Sequence, residues 1–218
     1  MKTIGIRLLL LLPLFLLFKT TFGQQEFDYE ISRLNNARPI ITQEMFTNAG
    51  VVEDGENING SSVIRIPDWI PLDERANPNA KYYIYFAHHH GKYIRMAWSE
   101  TITGPWHLYH IGEGYDAGNR SVLDMGNDEK IELKHSLAIK RHIASPDVHV
   151  DHANERIVMY FHGPSYFEGE DVGQRSFVAT SPDGLDFNNR IRSVMLGNAY
   201  FRVFVYNDNI YTLSNDGT

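Results

Sequence analysis

The sequence predicts an all-β fold of repeated antiparallel meanders, the pattern of a β-propeller with only part of its ring present. Three observations predict it. Short runs of β-branched and aromatic residues are divided by Gly, Pro, Asn and Asp turns. No stretch beyond the N-terminus keeps helical apolar spacing for long. The runs also recur as a unit.

The first unit runs Ser61-Ser62-Val63-Ile64-Arg65-Ile66, then Lys81-Tyr82-Tyr83-Ile84-Tyr85-Phe86, a His-Gly turn, Tyr93-Ile94-Arg95-Met96-Ala97-Trp98-Ser99, and Gly104-Pro105-Trp106. The second runs Pro146-Asp147-Val148-His149-Val150-Asp151, Glu155-Arg156-Ile157-Val158-Met159-Tyr160-Phe161, another His-Gly, Arg175-Ser176-Phe177-Val178-Ala179-Thr180-Ser181, and Gly184-Leu185-Asp186-Phe187. A third begins at Phe201-Arg202-Val203-Phe204-Val205-Tyr206 and continues into Ile210-Tyr211-Thr212-Leu213. Four-stranded antiparallel meanders at this spacing predict blades packed around an axis, with a β-sandwich as the structural alternative. About two and a half blades are present, so the expectation is a fragment that breaks off near Thr218. The stretch 38–42 is the candidate strand that would close the ring.

The N-terminus carries two positive charges, an apolar run from Leu8 to Phe18 and the small-residue stretch ending at Gly23. That pattern predicts a secretory signal peptide over 1–23. An N-terminal extension over 24–56 follows, and then the incomplete propeller domain over 57–218. The expected location is secreted or periplasmic, with no membrane contact after cleavage. There is no cysteine, so disulfides cannot staple an exported fold. The net charge of −7 is dispersed, and no Lys/Arg cluster suited to phosphates is present, which argues against a nucleic-acid partner. Twelve Tyr, twelve Phe and three Trp supply β-core rings and flat faces that stack on sugars.

In a meander, the start of the first strand and the turn between the second and third strands share one end. That rule gathers Asn59 to Ser62, Ser145, Asp147, Tyr200 and Arg202 with His88, His89, His90, His162, Glu168, Glu170, Asp171, Asn215 and Asp216. Asp147 is the candidate general base, with Ser145 and His149 expected on its side of the strand and Arg202 holding it ionised; a structural bond from Asp147 to Arg202 or to backbone is its equal alternative. The histidine run reads as hydrogen-bonding groups for sugar hydroxyls ahead of a metal site, since strand neighbours point to opposite sides. The stretch Tyr166-Phe167-Glu168-Gly169-Glu170-Asp171 reads as an acidic loop able to protonate a leaving oxygen beside a stacked sugar, or to hold calcium as a divalent cation. A solvated acidic loop is its plainer reading. His142 and Lys140 are weaker candidates, and Asp68 and Asp151 fall at the opposite end as ordinary turn residues.

The stretch Asn57 to Arg65 with Lys81 to Phe86, and Ser145-Pro146-Asp147-Val148 with Met159-Tyr160-Phe161, resembles the five-bladed propeller of glycoside hydrolase family 43 and its relatives. The resemblance covers roughly residues 57 to 214, and its strongest element is the rhythm ending in Ala179-Thr180-Ser181-Pro182-Asp183-Gly184-Leu185-Asp186-Phe187. It implies cleavage of glycosidic bonds by a base Asp and a pKa-setting Asp, each in an Asp-Pro pair opening an inner strand, and a Glu acid on the third blade. This chain departs at all three: Gly60-Ser61 and Ser145-Pro146 stand at the two Asp-Pro positions, and Tyr200 stands near the Glu. Asp147, two residues on, is the displaced carboxylate that remains.

Three functions follow as expectations. The first is a secreted glycoside hydrolase using carboxylates from Asp147, Glu168 and Glu170, with Asn59, Ser145, His88, His89, His90, His149, His162 and Arg202 holding the carbohydrate. The second is a sugar-binding propeller without turnover. The third is a polysaccharide lyase in which Arg202 or a metal neutralises a uronate.

Overall fold

The computed structural model describes residues 30–33, 38–49, 57–89, 91–109 and 121–216. The chain divides into two units, residues 1–33 and 34–218. In the first, residues 30–33 are irregular and exposed. The expected signal peptide lies outside the described residues, and among those described no helix is long and apolar enough to cross a membrane.

The described residues of the second unit are all-β apart from the six-residue helix α1 (Gln43–Asn48) and one 3-10 turn at Leu72–Glu74. Its strands are β1 (Ile58–Arg65), β2 (Tyr82–His88), β3 (Tyr93–Ser99), β4 (His107–Tyr109), β5 (Leu123–Asp124), β6 (Lys130–Glu132) and β7 (Leu137–Lys140). They continue with β8 (Ala144–Asp151), β9 (Arg156–Phe167), β10 (Glu170–Ser181), β11 (Gly197–Asn198), β12 (Arg202–Tyr206) and β13 (Asn209–Leu213). All pairings are antiparallel.

The first sheet is the meander β1-β2-β3-β4, with β5 against the start of β3. The second is β8-β9-β10-β11, and the long β9 also carries the β6–β7 hairpin along its far end. The third is the hairpin β12–β13. The fourth strand of the second sheet departs from expectation. Gly184 to Phe187 form a turn, and the edge of β10 is followed instead by residues 190–198, bonded irregularly through Arg192 N–H to Val178 O (2.9 Å) and Leu196 N–H to Ser176 O (2.9 Å). Phe187 is buried rather than strand-paired, and its N–H reaches Val122 O at 2.7 Å.

Strand alternation decides which side chains fill the space between the first two sheets. Tyr83, Tyr85 and Ala87 of β2 and Ile94 and Met96 of β3 face Ile157, Met159 and Phe161 of β9 and Phe177 and Ala179 of β10, and together form the main core. Tyr85 is fully buried and keeps its hydroxyl satisfied by donating to Gly184 O at 3.1 Å. The opposite face of the first sheet, Ile84, Phe86 and Ala97 with Trp106 and Leu108, is covered by Met45 and Phe46 of α1. Both faces of β2 and β3 are therefore buried, and the outer face of β3 holds the buried Arg95 against the Phe46 and Tyr93 rings. Residues 38–42, the candidate ring-closing strand, enter α1 without strand pairing among the described residues, and Ile40 and Ile41 join this second cluster. The β12–β13 hairpin leaves Val205, Tyr206, Ile210 and Leu213 exposed.

The first two sheets approach most closely where β1 and β8 begin. Gly60 has φ +58°, and a Cβ built on it would stand 2.4 Å from Ser145 Cα. A Gly60→Ala chain must therefore take up a left-handed backbone and push a neighbouring main chain away, at a cost of roughly 2–4 kcal/mol. Gly169 also has positive φ but meets nothing within 4 Å, so Gly169→Ala is expected to cost only about 1 kcal/mol. Urea unfolding of the two variants checks this, and equal losses would rule out the close approach.

Candidate functional site

Among the described residues β1, β8 and β12 each pair on one side only, so alternate backbone amides of these strands have no partner in the ladder. Each strand is also entered through a residue in the left-handed region: Gly60 (φ 58°), Ser145 (φ 50°) and Tyr200 (φ 58°). At the first two, the pairing register shifts, between Asn59 and Ser62 and between Ala144 and Asp147. Such bulges turn the strand and re-aim the side chain that follows.

The re-aimed side chains join successive sheets in one repeated way. Ser62 Oγ accepts from Val148 N–H at 2.9 Å, and Asp147 Oδ2 accepts from Val203 N–H at 2.8 Å. Ser62 and Asp147 hold matching places, two residues after the left-handed residue and opposite Tyr85 and Tyr160 respectively. Each bonds the free amide one residue past the matching place in the next first strand. Arg202 occupies the third such place.

Around these bonds the strand-start end assembles much of the expected site. Ser145 is buried and donates through Oγ to Asn59 Oδ1 at 2.7 Å. Arg202 Nη1 donates to Ser145 O (3.2 Å) and Phe201 O (3.0 Å). His162, 2% exposed, accepts Tyr200 N–H at Nδ1 (3.4 Å), and the two rings lie 4.7 Å apart. Tyr200 itself is 49% exposed and offers an open aromatic face. His88 closes β2 opposite Ile58, and the His89 N–H reaches Asn57 O at 3.0 Å. His90 lies outside the described residues.

Asp147 is half-buried and also pairs with His149 Nε2 at 2.9 Å. Burial raises its pKa, but the His149 hydrogen bond, the Val203 amide and the nearby His149 and Arg202 charges together hold the carboxyl below the usual carboxylate range. Arg202 thus helps keep it ionised, as expected, through its field while its bonds go to backbone carbonyls.

Two expectations are corrected. Ser145 does not share a side with Asp147 and His149: the bulge turns Ser145 toward Asn59 of the first sheet, whereas Asp147 reaches Val203 of the third. Glu168 and Glu170 do not join Asp147 as an acid–base pair. The stretch 166–171 is a tight hairpin end, with Phe167 opposite Glu170 and positive φ at Glu168 and Gly169. Asp147 lies opposite Tyr160, and the eight further residues of strand to Glu168 span on the order of 25 Å. Paired glycosidase carboxylates stand within about 10 Å. Both glutamates are exposed, and Asp171 turns back to Gly173 N–H (2.8 Å) and Arg141 (3.7 Å). Among the described residues no group of three His, Asp or Glu converges as a metal site.

A structural bond from Asp147 to backbone is one of its two expected readings and is the one seen, to Val203 N–H; the matching bond from Val148 N–H to Ser62 was not foreseen. Aligning Gly60-Ser61-Ser62, Ser145-Pro146-Asp147 and Tyr200-Phe201-Arg202 as one repeated triplet is the signal that points to both.

No protein-family model matches the chain. A protein of Acanthamoeba polyphaga mimivirus described as uncharacterized is 35% identical over 170 residues, covering 74% of this chain and 43% of its own length. The chain thus spans less than half of that relative. Among solved structures, an alpha-L-arabinofuranosidase from Clostridium thermocellum aligns with 70% of this chain and 59% of its own at 12% identity and a TM-score of 0.29. The relation between the sheets rests on the chain's own hydrogen bonds.

Burial first, then the charges of His142 and Arg202, push His162 down from 6.5 to about 4. The unfolded chain therefore binds a proton that the folded chain refuses. Stability is full above 6.5 and falls as pH drops toward about 4, by on the order of 3 kcal/mol for this one group. Unfolding free energies of the native chain and His162→Gln, compared at neutral pH and near pH 4, are expected to converge by about that amount in acid. Parallel pH profiles would contradict the assignment.

Proposed function

We propose that the three meanders are successive blades of a β-propeller and that the end where their first strands begin binds a saccharide without cleaving it. The single observation that carries this reading is the repeated bond from Ser62 to Val148 and from Asp147 to Val203. Equivalent places on β1 and β8 bond equivalent places on β8 and β12, which supports reading the sheets as blades that succeed one another around an axis. The same bond favours binding over turnover, because the carboxylate at this end is engaged by an amide and by His149 while the acidic hairpin tip lies far along β9. Tyr200 provides a stacking face, and Asn59 and Arg202, neither fully buried, provide polar groups for sugar hydroxyls. Export through the N-terminal leader belongs to the same proposal, since polysaccharide lies outside the cell.

Hydrolysis is kept as a second reading because Asp147 and His149 form a hydrogen-bonded pair in which the carboxylate orients the imidazole. The test incubates the full chain with a panel of plant and algal oligosaccharides and measures both binding and product release. Binding without products, weakened about tenfold in Tyr200→Ala, is the expected result. Products that vanish in Asp147→Asn would replace the binding reading with the hydrolytic one. Unsaturated, ultraviolet-absorbing products would replace it with elimination, and binding unchanged in Tyr200→Ala would overturn the site.

A further inference from the structure

His162 carries a polar group that neither the fold nor the function proposed above has used. It lies on β9 between Ala144 of β8 and Ser176 of β10, and only 2% of it is exposed. Strand alternation turns its neighbour Phe161 into the main core and leaves His162 on the other side with Tyr160, which packs against Phe201 at 5.9 Å. Its ring meets that of Tyr200 at 4.7 Å. The imidazole therefore sits beside the half-exposed ring on which the saccharide is proposed to stack.

The hydrogen bond at Nδ1 fixes the state of the other nitrogen. Nδ1 accepts from Tyr200 N–H at 3.4 Å, and an amide N–H can only donate there, so Nδ1 holds the lone pair. Burial, then the charges of His142 and Arg202, hold the ring's pKa down at about 4, so the imidazole is neutral at ordinary pH. Its one proton must then sit on Nε2. Nε2–H is a donor of fixed polarity, and among the described residues no group accepts from it. The only sealed side-chain nitrogens or oxygens without a partner among those residues are the indoles of Trp69 and Trp106. Nε2 therefore keeps an opening to solvent, although the ring around it is enclosed.

The polarity of that donor selects what it can meet. Arg202 on the same side is donor-only as well, and Asp147 already accepts from Val203 N–H and pairs with His149. The group that fits is an oxygen with a free lone pair: a hydroxyl or ring oxygen of a neutral sugar, or the carboxylate of a uronate. A ligand edge without such an oxygen leaves the donor unpaired and is disfavoured.

We infer that His162 is a ligand-binding residue of the strand-start end, whose Nε2–H donates a hydrogen bond to an acceptor oxygen of the bound saccharide without giving up its proton. The inference rests on the function proposed above and adds a deep polar contact to the stack on Tyr200.

The test is long-range ¹H–¹⁵N NMR of the full chain labelled with ¹⁵N-histidine, titrated with xylobiose and with digalacturonate. The His162 ring signals are assigned by their loss in His162→Gln or, where that chain does not fold, by nuclear Overhauser contacts to the Tyr200 ring. Before sugar is added, the expected pattern is a protonated Nε2 beside an unprotonated Nδ1, and the reverse tautomer overturns the inference. On titration a saturable movement is expected at Nε2. Movement with xylobiose assigns a hydroxyl or ring oxygen, and movement with digalacturonate alone assigns the carboxylate. Binding that is weakened by Tyr200→Ala while Nε2 stays fixed overturns the His162 contact and leaves the proposed function. Absence of binding by either sugar overturns that function and the His162 contact with it. Affinity gives a second readout, because a Gln amide N–H reaches the place of Nε2 and an Asn amide reaches only that of Nδ1. His162→Gln is expected to bind within about threefold of the native chain, and His162→Asn about tenfold more weakly. Equal weakening in both, at equal thermal stability, makes His162 a structural support and overturns the inference.

Discussion

Among the described residues β1, β8 and β12 are edge strands, and the amides on the bare side of such a strand must be satisfied before another sheet can pack beside it. The structure meets this constraint by bending each opening strand at a left-handed residue and presenting the next inward side chain to the following sheet. A neutral hydroxyl does this at Ser62 and a carboxylate at Asp147. A bond to an ionised acceptor is worth roughly twice a neutral one, about 1.5–3 against 0.5–1.5 kcal/mol. The second junction, which leads to a hairpin with most of its apolar side chains exposed, thus has the stronger link where packing contributes less. Ser145 and Tyr200 adopt the left-handed region at about 1–2 kcal/mol each, while glycine at position 60 avoids that cost where main chains come closest.

This link also constrains chemistry. Against the upward pull of burial, His149 and the Val203 amide hold the Asp147 carboxyl below the usual carboxylate range, and an acidic carboxyl gives a weak conjugate base. The residues that remain at the strand-start end are aromatic, hydroxyl, amide and guanidinium groups, suited to holding a polyol. His162 is kept neutral by burial, so it serves as an acceptor for Tyr200 N–H rather than as a proton donor to a substrate. The site and the fold therefore share the same atoms, and a change at Asp147 is expected to disturb both.

Much of the fold was legible in the sequence because the strands of both main sheets are long, β-rich and buried on one face or two. The runs at Tyr82, Tyr93, Ile157 and Phe177 mark strands whose observed bounds differ from expectation mostly by extension through the turns. What escaped was carried by short or irregular elements. Residues 130–132 and 137–140 form a hairpin with too few apolar positions to show a period of two, and the fourth strand of the second sheet is broken across 190–198. The acidic stretch at Glu168 reads as a loop because its composition is that of a loop, yet Glu168-Gly169 is a two-residue turn that carries the ladder to its end. At the strand-start end, period-two reasoning gathered Asp147, His162, Tyr200 and Arg202 and then assigned Ser145 the wrong side, since a bulge is invisible to alternation.

The link between Asp147 and Val203 is tested most directly by amide hydrogen exchange at Val203 in the native chain, Asp147→Asn and Asp147→Ala. The structure predicts slow exchange at Val203 in the first two, where an acceptor oxygen is present, and fast exchange in the third, with Val148 protected throughout by Ser62. Equal protection of Val203 in all three chains would contradict the account.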